Sequence, residues 1–219
     1  MNSTELPDPD AAARLAQATR RLIDLVRRSK ATRETMEDAT AALEAVSARL
    51  APHVSDGPFM QRGLVWEGPL ERGTPPGDFA EFFPYSPLVG PRNPLAPPMT
   101  FRVEDGRVFG SVRFGAAYVG PPQNVHGGVI AAAFDELLGS TNVANGIGGM
   151  TGTLTVRYVQ PTPVLAPIAL EGWVDRQEGR KVFTRGEMRH EDVVTASAEG
   201  VFIQGSVEQL LSLVSPGIP

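Results

Sequence analysis

The sequence contains no cysteine among its 219 residues. That absence excludes a disulfide framework, a thiolate nucleophile and a cysteine-ligated zinc site together. Histidine is nearly as scarce: His53, His126 and His190 stand isolated, without a His-x-x-x-His spacing, so no metal site and no cofactor are expected. No apolar run approaches the length that spans a bilayer, and Met1 to Asp10 lacks the basic start and apolar stretch of a signal peptide. A cytoplasmic location is the expectation. There is also no long basic run, and the net charge is -5, so a nucleic-acid backbone would find little general attraction here.

What is present divides into four stretches. From Asp10 to about Leu50, apolar residues recur at three-, four- and seven-residue steps: Leu15, Leu22, Leu25 and Val26, then Met36, Leu43, Val46 and Leu50. This predicts a helical hairpin with Asp10 as first N-cap and Pro52 and Gly57 closing the second helix. Residues 1–56 read as an N-terminal helical extension that packs on the main body or on a partner subunit. Residues 57–98 are rich in proline and also hold Phe59, Trp66, Phe79, Phe82, Phe83 and Tyr85. Proline prevents regular structure while the aromatics still need burial, which predicts an irregular strap lying on the folded body. Residues 206–219 form a tail without a recognisable targeting motif.

Residues 99–205 read as one α+β unit. Thr100 to Val103 and Arg107 to Phe114 alternate in polarity around Asp105-Gly106, a hairpin signal. An apolar stretch with helical spacing runs from Val129 to Leu138. Strands are then expected at 152–160, 168–176, 181–190 and 193–203, with turns at Gly179 and Glu191-Asp192. Gly146, Gly148 and Gly149 lack a leading strand and a following Lys-Ser/Thr, so they read as a connection and not as a phosphate loop.

At Asn124-Val125-His126-Gly127-Gly128, with Asp135 nine residues after the histidine, the chain resembles the PaaI-like branch of hotdog thioesterases. Met150-Thr151, Tyr158, Pro161 and Glu178-Gly179-Arg180-Lys181 fall where that family places them, and the resemblance covers roughly residues 100 to 204. It is closest to acyl-CoA thioesterases with an aspartate and a threonine sixteen residues apart, as Asp135 and Thr151 are. The resemblance implies an antiparallel sheet wrapped round a central helix. It also implies hydrolysis of acyl-CoA, with Asp135 and Thr151 catalytic and His126 supporting the turn. Asn124, Arg157 and the stretch Arg180, Lys181, Val182 and Phe183 become substrate-binding positions. Where relatives often carry basic residues after the tyrosine, this chain has Val159-Gln160. The acyl groups it points to are medium or long fatty acyl chains, within fatty acid metabolism.

The chemistry fits those residue types. A helix that opens at Gly127 and Gly128 presents unpaired N–H groups and a positive dipole end to an oxyanion. Asp135 suits a general base towards water, or a nucleophile that forms an anhydride, and both routes stay open. Thr151 can orient the water or the carboxylate through its hydroxyl. Asp135 lies eight residues beyond Gly127, about 12 Å along one helix, so one thioester carbon cannot touch both. A homodimer with antiparallel central helices would bring Gly127 of one chain to Asp135 of the other; whether two dimers assemble further stays open. Two other readings remain: a hotdog dehydratase or hydratase, and a non-catalytic acyl-CoA sensing module.

Overall fold

The computed structural model describes residues 8–57, 59–61, 78–97 and 99–204. Trp66, with residues 62–77 of the proline-rich strap, and the C-terminal tail lie outside the described residues. The chain begins with two helices, α1 (Pro9–Arg28) and α2 (Arg33–Leu50). The cap of α1 is Asp8 and not Asp10, because Pro9 takes the first helical position and leaves the Asp8 side chain to accept the Asp10 N–H at 2.9 Å. Helix α1 buries Ala16 and touches the body at a 3₁₀ turn, Ala116–Tyr118. Helix α2 buries no residue within one chain.

The described part of the strap lies on the body. A short helix, α3 (Phe79–Phe82), buries Phe79, which meets Phe101 edge-on at 5.7 Å. Val89 and Ala96 are buried further along.

Six strands form one antiparallel sheet: β1 (Thr100–Glu104), β2 (Arg107–Val112), β3 (Met150–Tyr158), β4 (Ile168–Glu178), β5 (Lys181–His190) and β6 (Val193–Ile203). Their order is β1-β2-β4-β5-β6-β3, so β3 lies at an edge. Asp105 and Gly106 both have positive φ, the geometry of the two-residue turn that joins twisted strands without splaying them. The last two strands keep the expected bounds, while β3 starts two residues earlier than expected, at Met150.

Helix α4 (Gly127–Ala144) lies across the sheet and packs against β2, β3, β4, β5 and β6. Ile130, Ala133, Phe134, Leu137 and Leu138 face the core, where they meet inward residues such as Val108, Leu170, Val182 and Phe202. The approach is close. A Cβ on Gly172 of β4 would stand 2.5 Å from Thr141 Oγ1 and 3.1 Å from Leu137 Cγ, so glycine at that point sets the distance between layers. A sheet wrapped around one central helix is the hotdog arrangement, here carrying N-terminal helices.

Candidate active site

The loop before α4 is tied down on both sides. His126 N–H donates to Tyr118 O at 2.9 Å and Val125 N–H to Thr162 O at 2.8 Å. Asn124 is engaged within the same loop: its side-chain amide donates to Pro122 O at 2.8 Å. His126 is the N-cap of α4, and its Nδ1 accepts the Gly128 N–H at 3.0 Å. That bond requires a lone pair on Nδ1, so the proton of the neutral ring sits on Nε2. It also removes Gly128 from the set of free donors. Gly127 N–H is left without an acceptor among the described residues. The carbonyl of Gly127 accepts from Tyr158 OH at 2.9 Å, which anchors the first turn of the helix to β3.

Two turns further on, Thr151 Oγ1 donates to Asp135 Oδ1 at 2.8 Å. Both residues are exposed. Strict alternation along β3 would not have produced this pair. Leu154 and Val156 pack towards the core and Tyr158 reaches the helix, while Thr155 and Arg157 line a depression on the opposite face. Thr151 has the parity of Thr155 and Arg157. Its inward aim comes from a β-bulge: Thr151 pairs with Phe202 but Thr153 pairs with Val201, so one extra residue, Gly152, sits in β3. A bulge reverses the alternation and redirects one side chain, a device that recurs beside active sites.

The expected phosphate contacts are not brought to this pair within one chain. Arg157 shares the outer depression, about 490 Å³, with Trp173, Arg185 and Glu199. Arg180 stands at the β4–β5 turn, where its Nε donates to Gln204 O at 3.0 Å, and Lys181 is exposed beside it. Val182 is fully buried in the core, and the Phe183 ring lies 3.6 Å below the Arg176 guanidinium.

Two contributors escaped sequence reasoning. Tyr158 could be placed in a strand, but nothing along the chain paired its hydroxyl with Gly127. Glu136, beside Asp135, is the other. Burial pushes its carboxyl up to about 7, the nearby Ser86 hydroxyl pulls in the opposite direction, and Asp135 adds a smaller upward push. Ser86, on the strap, accepts the N–H groups of Leu88 and Val89 and lies near Glu136 on the helix carrying Asp135. Among the described residues, no three histidine, aspartate or glutamate side chains converge to hold a metal, and no helix is long and apolar enough to cross a membrane.

A wrapped sheet, a capped central helix with an open N–H, and a carboxylate–hydroxyl pair at the sheet edge define a hotdog protein with a candidate active site on its central helix. The family model for the thioesterase superfamily matches residues 122–197. A crystal structure of a thioesterase superfamily protein is 32% identical, aligns over 92% of this chain and 94% of that one, and superposes with a TM-score of 0.75. The chain belongs to the thioesterase superfamily. Among curated proteins, acyl-coenzyme A thioesterase THEM4 of Xenopus laevis is 39% identical over 87 residues, 39% of each chain. Acyl-coenzyme A thioesterase THEM5 of Homo sapiens is 31% identical over 97 residues, 43% of this chain and 39% of that protein. The chain thus spans about two fifths of the length of these curated relatives.

Proposed function

We propose that the protein hydrolyses acyl-CoA thioesters to a free acid and CoA. The observation that carries this reading is the Thr151–Asp135 hydrogen bond at 2.8 Å. It fixes one carboxylate oxygen and leaves the other to take a proton from an attacking water. Gly127 N–H, at the positive end of α4, would receive the oxyanion. The names of the relatives, acyl-coenzyme A thioesterases, support the same substrate class.

In this reading two chains act together. Gly127 and Asp135 are eight residues apart on one helix, about 12 Å, so a single carbonyl cannot reach both. Antiparallel pairing of two α4 helices joins one chain's Gly127 to the partner's Asp135. Two features favour such pairing. Among the described residues the outer edge of the nine-residue strand β3 pairs with no other strand, and unprotected edges of that length tend to find a partner. The side of α4 around Asp135 carries Gly128, Ala131, Ala132 and Gly139, small residues that allow a second backbone close approach. Arg157, Arg180 and Lys181 are the exposed cations assigned to the CoA phosphates, and medium or long fatty chains are the assigned acyl groups.

The test is a hydrolysis screen over acyl-CoAs of varied chain length with wild type and Asp135→Asn. Release of CoA by wild type, reduced by about 10²-fold or more in the variant, is the expected result. Tight binding without release in wild type would instead establish a sensing module. Mixed dimers of Gly127 and Asp135 variants should recover part of the activity, since one composite site stays intact.

A further inference from the structure

A cleft of about 660 Å³ opens between α1, the segment 94–97 and the 3₁₀ turn Ala116–Tyr118, and no residue of the candidate active site lines it. The chain is acidic overall, at -5, but this cleft carries three arginines, Arg20, Arg21 and Arg113, against one carboxylate, Asp24. That carboxylate is already engaged. One oxygen meets Arg28 at 3.0 Å and the other accepts the Ala116 N–H at 3.4 Å. Arg21 and Arg113 meet no carboxylate among the described residues. Among the described residues Arg20 donates once, to Asn93 O at 2.8 Å, and its buried Nε meets no partner. A buried donor left unpaired costs free energy that an incoming acceptor restores.

The remaining walls are apolar. Leu95 is 63% exposed at the cleft, and the Tyr118 ring is held beside it by a 2.6 Å hydrogen bond from its hydroxyl to Leu95 O. We propose that this cleft is a second binding site, for an organic anion whose carboxylate or phosphate meets Arg20, Arg21 and Arg113 and whose apolar part lies on Leu95 and Tyr118. Paired arginine forks suit either oxyanion, and the volume lies in the range of small-molecule sites. Two sources share this chemistry: a free fatty acid, and the phosphorylated adenosine end of CoA. The site is linked to α4, because Tyr118 O accepts the N–H of His126, the helix cap. Its occupancy does not depend on the proposed hydrolysis.

The test is calorimetric titration of the full chain with decanoate, with adenosine 3′,5′-bisphosphate and with decanol. One of the two anions should bind more tightly than about 1 mM, and the neutral alcohol should not. Which anion binds identifies the source. Arg21→Gln/Arg113→Gln, at two exposed positions, and separately Arg20→Gln should each weaken binding by about tenfold or more, while Asp135→Asn leaves it unchanged. The exposed pair keeps the test valid if Arg20→Gln fails to fold. Absence of binding by both anions, equal binding of decanol, or binding indifferent to the Arg21/Arg113 substitutions overturns the proposal. Loss of hydrolysis in Asp135→Asn with anion binding intact would separate this site from the catalytic one.

Discussion

His126 Nδ1 accepts the N–H of Gly128 at 3.0 Å, and so the histidine ring closes the first turn of the central helix. The bond withdraws one of two neighbouring glycine donors and leaves the other, Gly127, without an acceptor among the described residues. A side-chain acceptor at this position is worth about 1 kcal/mol of helix stability. His126→Asn should therefore keep stability and part of the activity, because asparagine is a good cap acceptor. His126→Leu should lose about 1 kcal/mol and reduce kcat/KM by about tenfold or more. Urea denaturation and acyl-CoA hydrolysis, measured on both variants, check the pair of outcomes. Equal activity in the leucine variant would remove the cap from the mechanism.

Thr151 donates a hydroxyl hydrogen bond to Asp135, and the proposed mechanism uses it to orient the carboxylate. Thr151→Ser retains that donor and should keep most of the activity. Thr151→Val retains the shape without the donor and should lower kcat by about tenfold, with a smaller effect on KM. A valine variant as active as wild type would show that Asp135 needs no such partner.

Much of this arrangement was legible in the chain, and the exceptions have specific causes. Asp105-Gly106 announced its hairpin because the turn needs two residues that tolerate positive φ, a local requirement. Strands β5 and β6 were legible because alternating burial persists along them. Thr151 was found through family resemblance, since alternation alone puts it on the outer face with Arg157; the bulge at Gly152 that turns it inward has no periodic signal. The tie from Tyr158 to Gly127 joins segments distant in sequence, and so does the approach of Ser86 to Glu136, so only the packed structure brings these atoms together.

The spacing between helix and sheet is set at Gly172. A methyl group there would collide with Thr141 Oγ1 at 2.5 Å, and Thr141 is itself fully buried and bonded to Leu137 O at 2.7 Å. The side chain has no free space to enter. Gly172→Ala should therefore destabilise the protein by about 1–3 kcal/mol, the usual cost of overpacking a tight core. Gly179→Ala is a control at a different kind of position: it has open space around it but a φ of +57°, so its cost should come from backbone strain alone. Thermal denaturation of the two variants compares the effects. An unchanged midpoint for Gly172→Ala would mean that the two layers separate more readily than the contacts imply.

Glu136 makes stability depend on pH. Its carboxyl is pushed by burial from an ordinary 4.5 to about 7, so the folded chain holds this proton more tightly than the unfolded chain. The resulting contribution to folding is complete below the unfolded value near 4.5 and is lost as pH rises through 7. Across that window it amounts to about 3 kcal/mol. Glu136→Gln has a neutral amide at every pH and should escape the loss. Wild type and variant should then be similar in stability near pH 4.5 and diverge as pH rises, with the variant more stable by about 3 kcal/mol at pH 8. Taking the difference between the two proteins cancels the titration of other groups. A wild-type-minus-variant stability that is flat from pH 4.5 to 8 would mean that Glu136 ionises without cost.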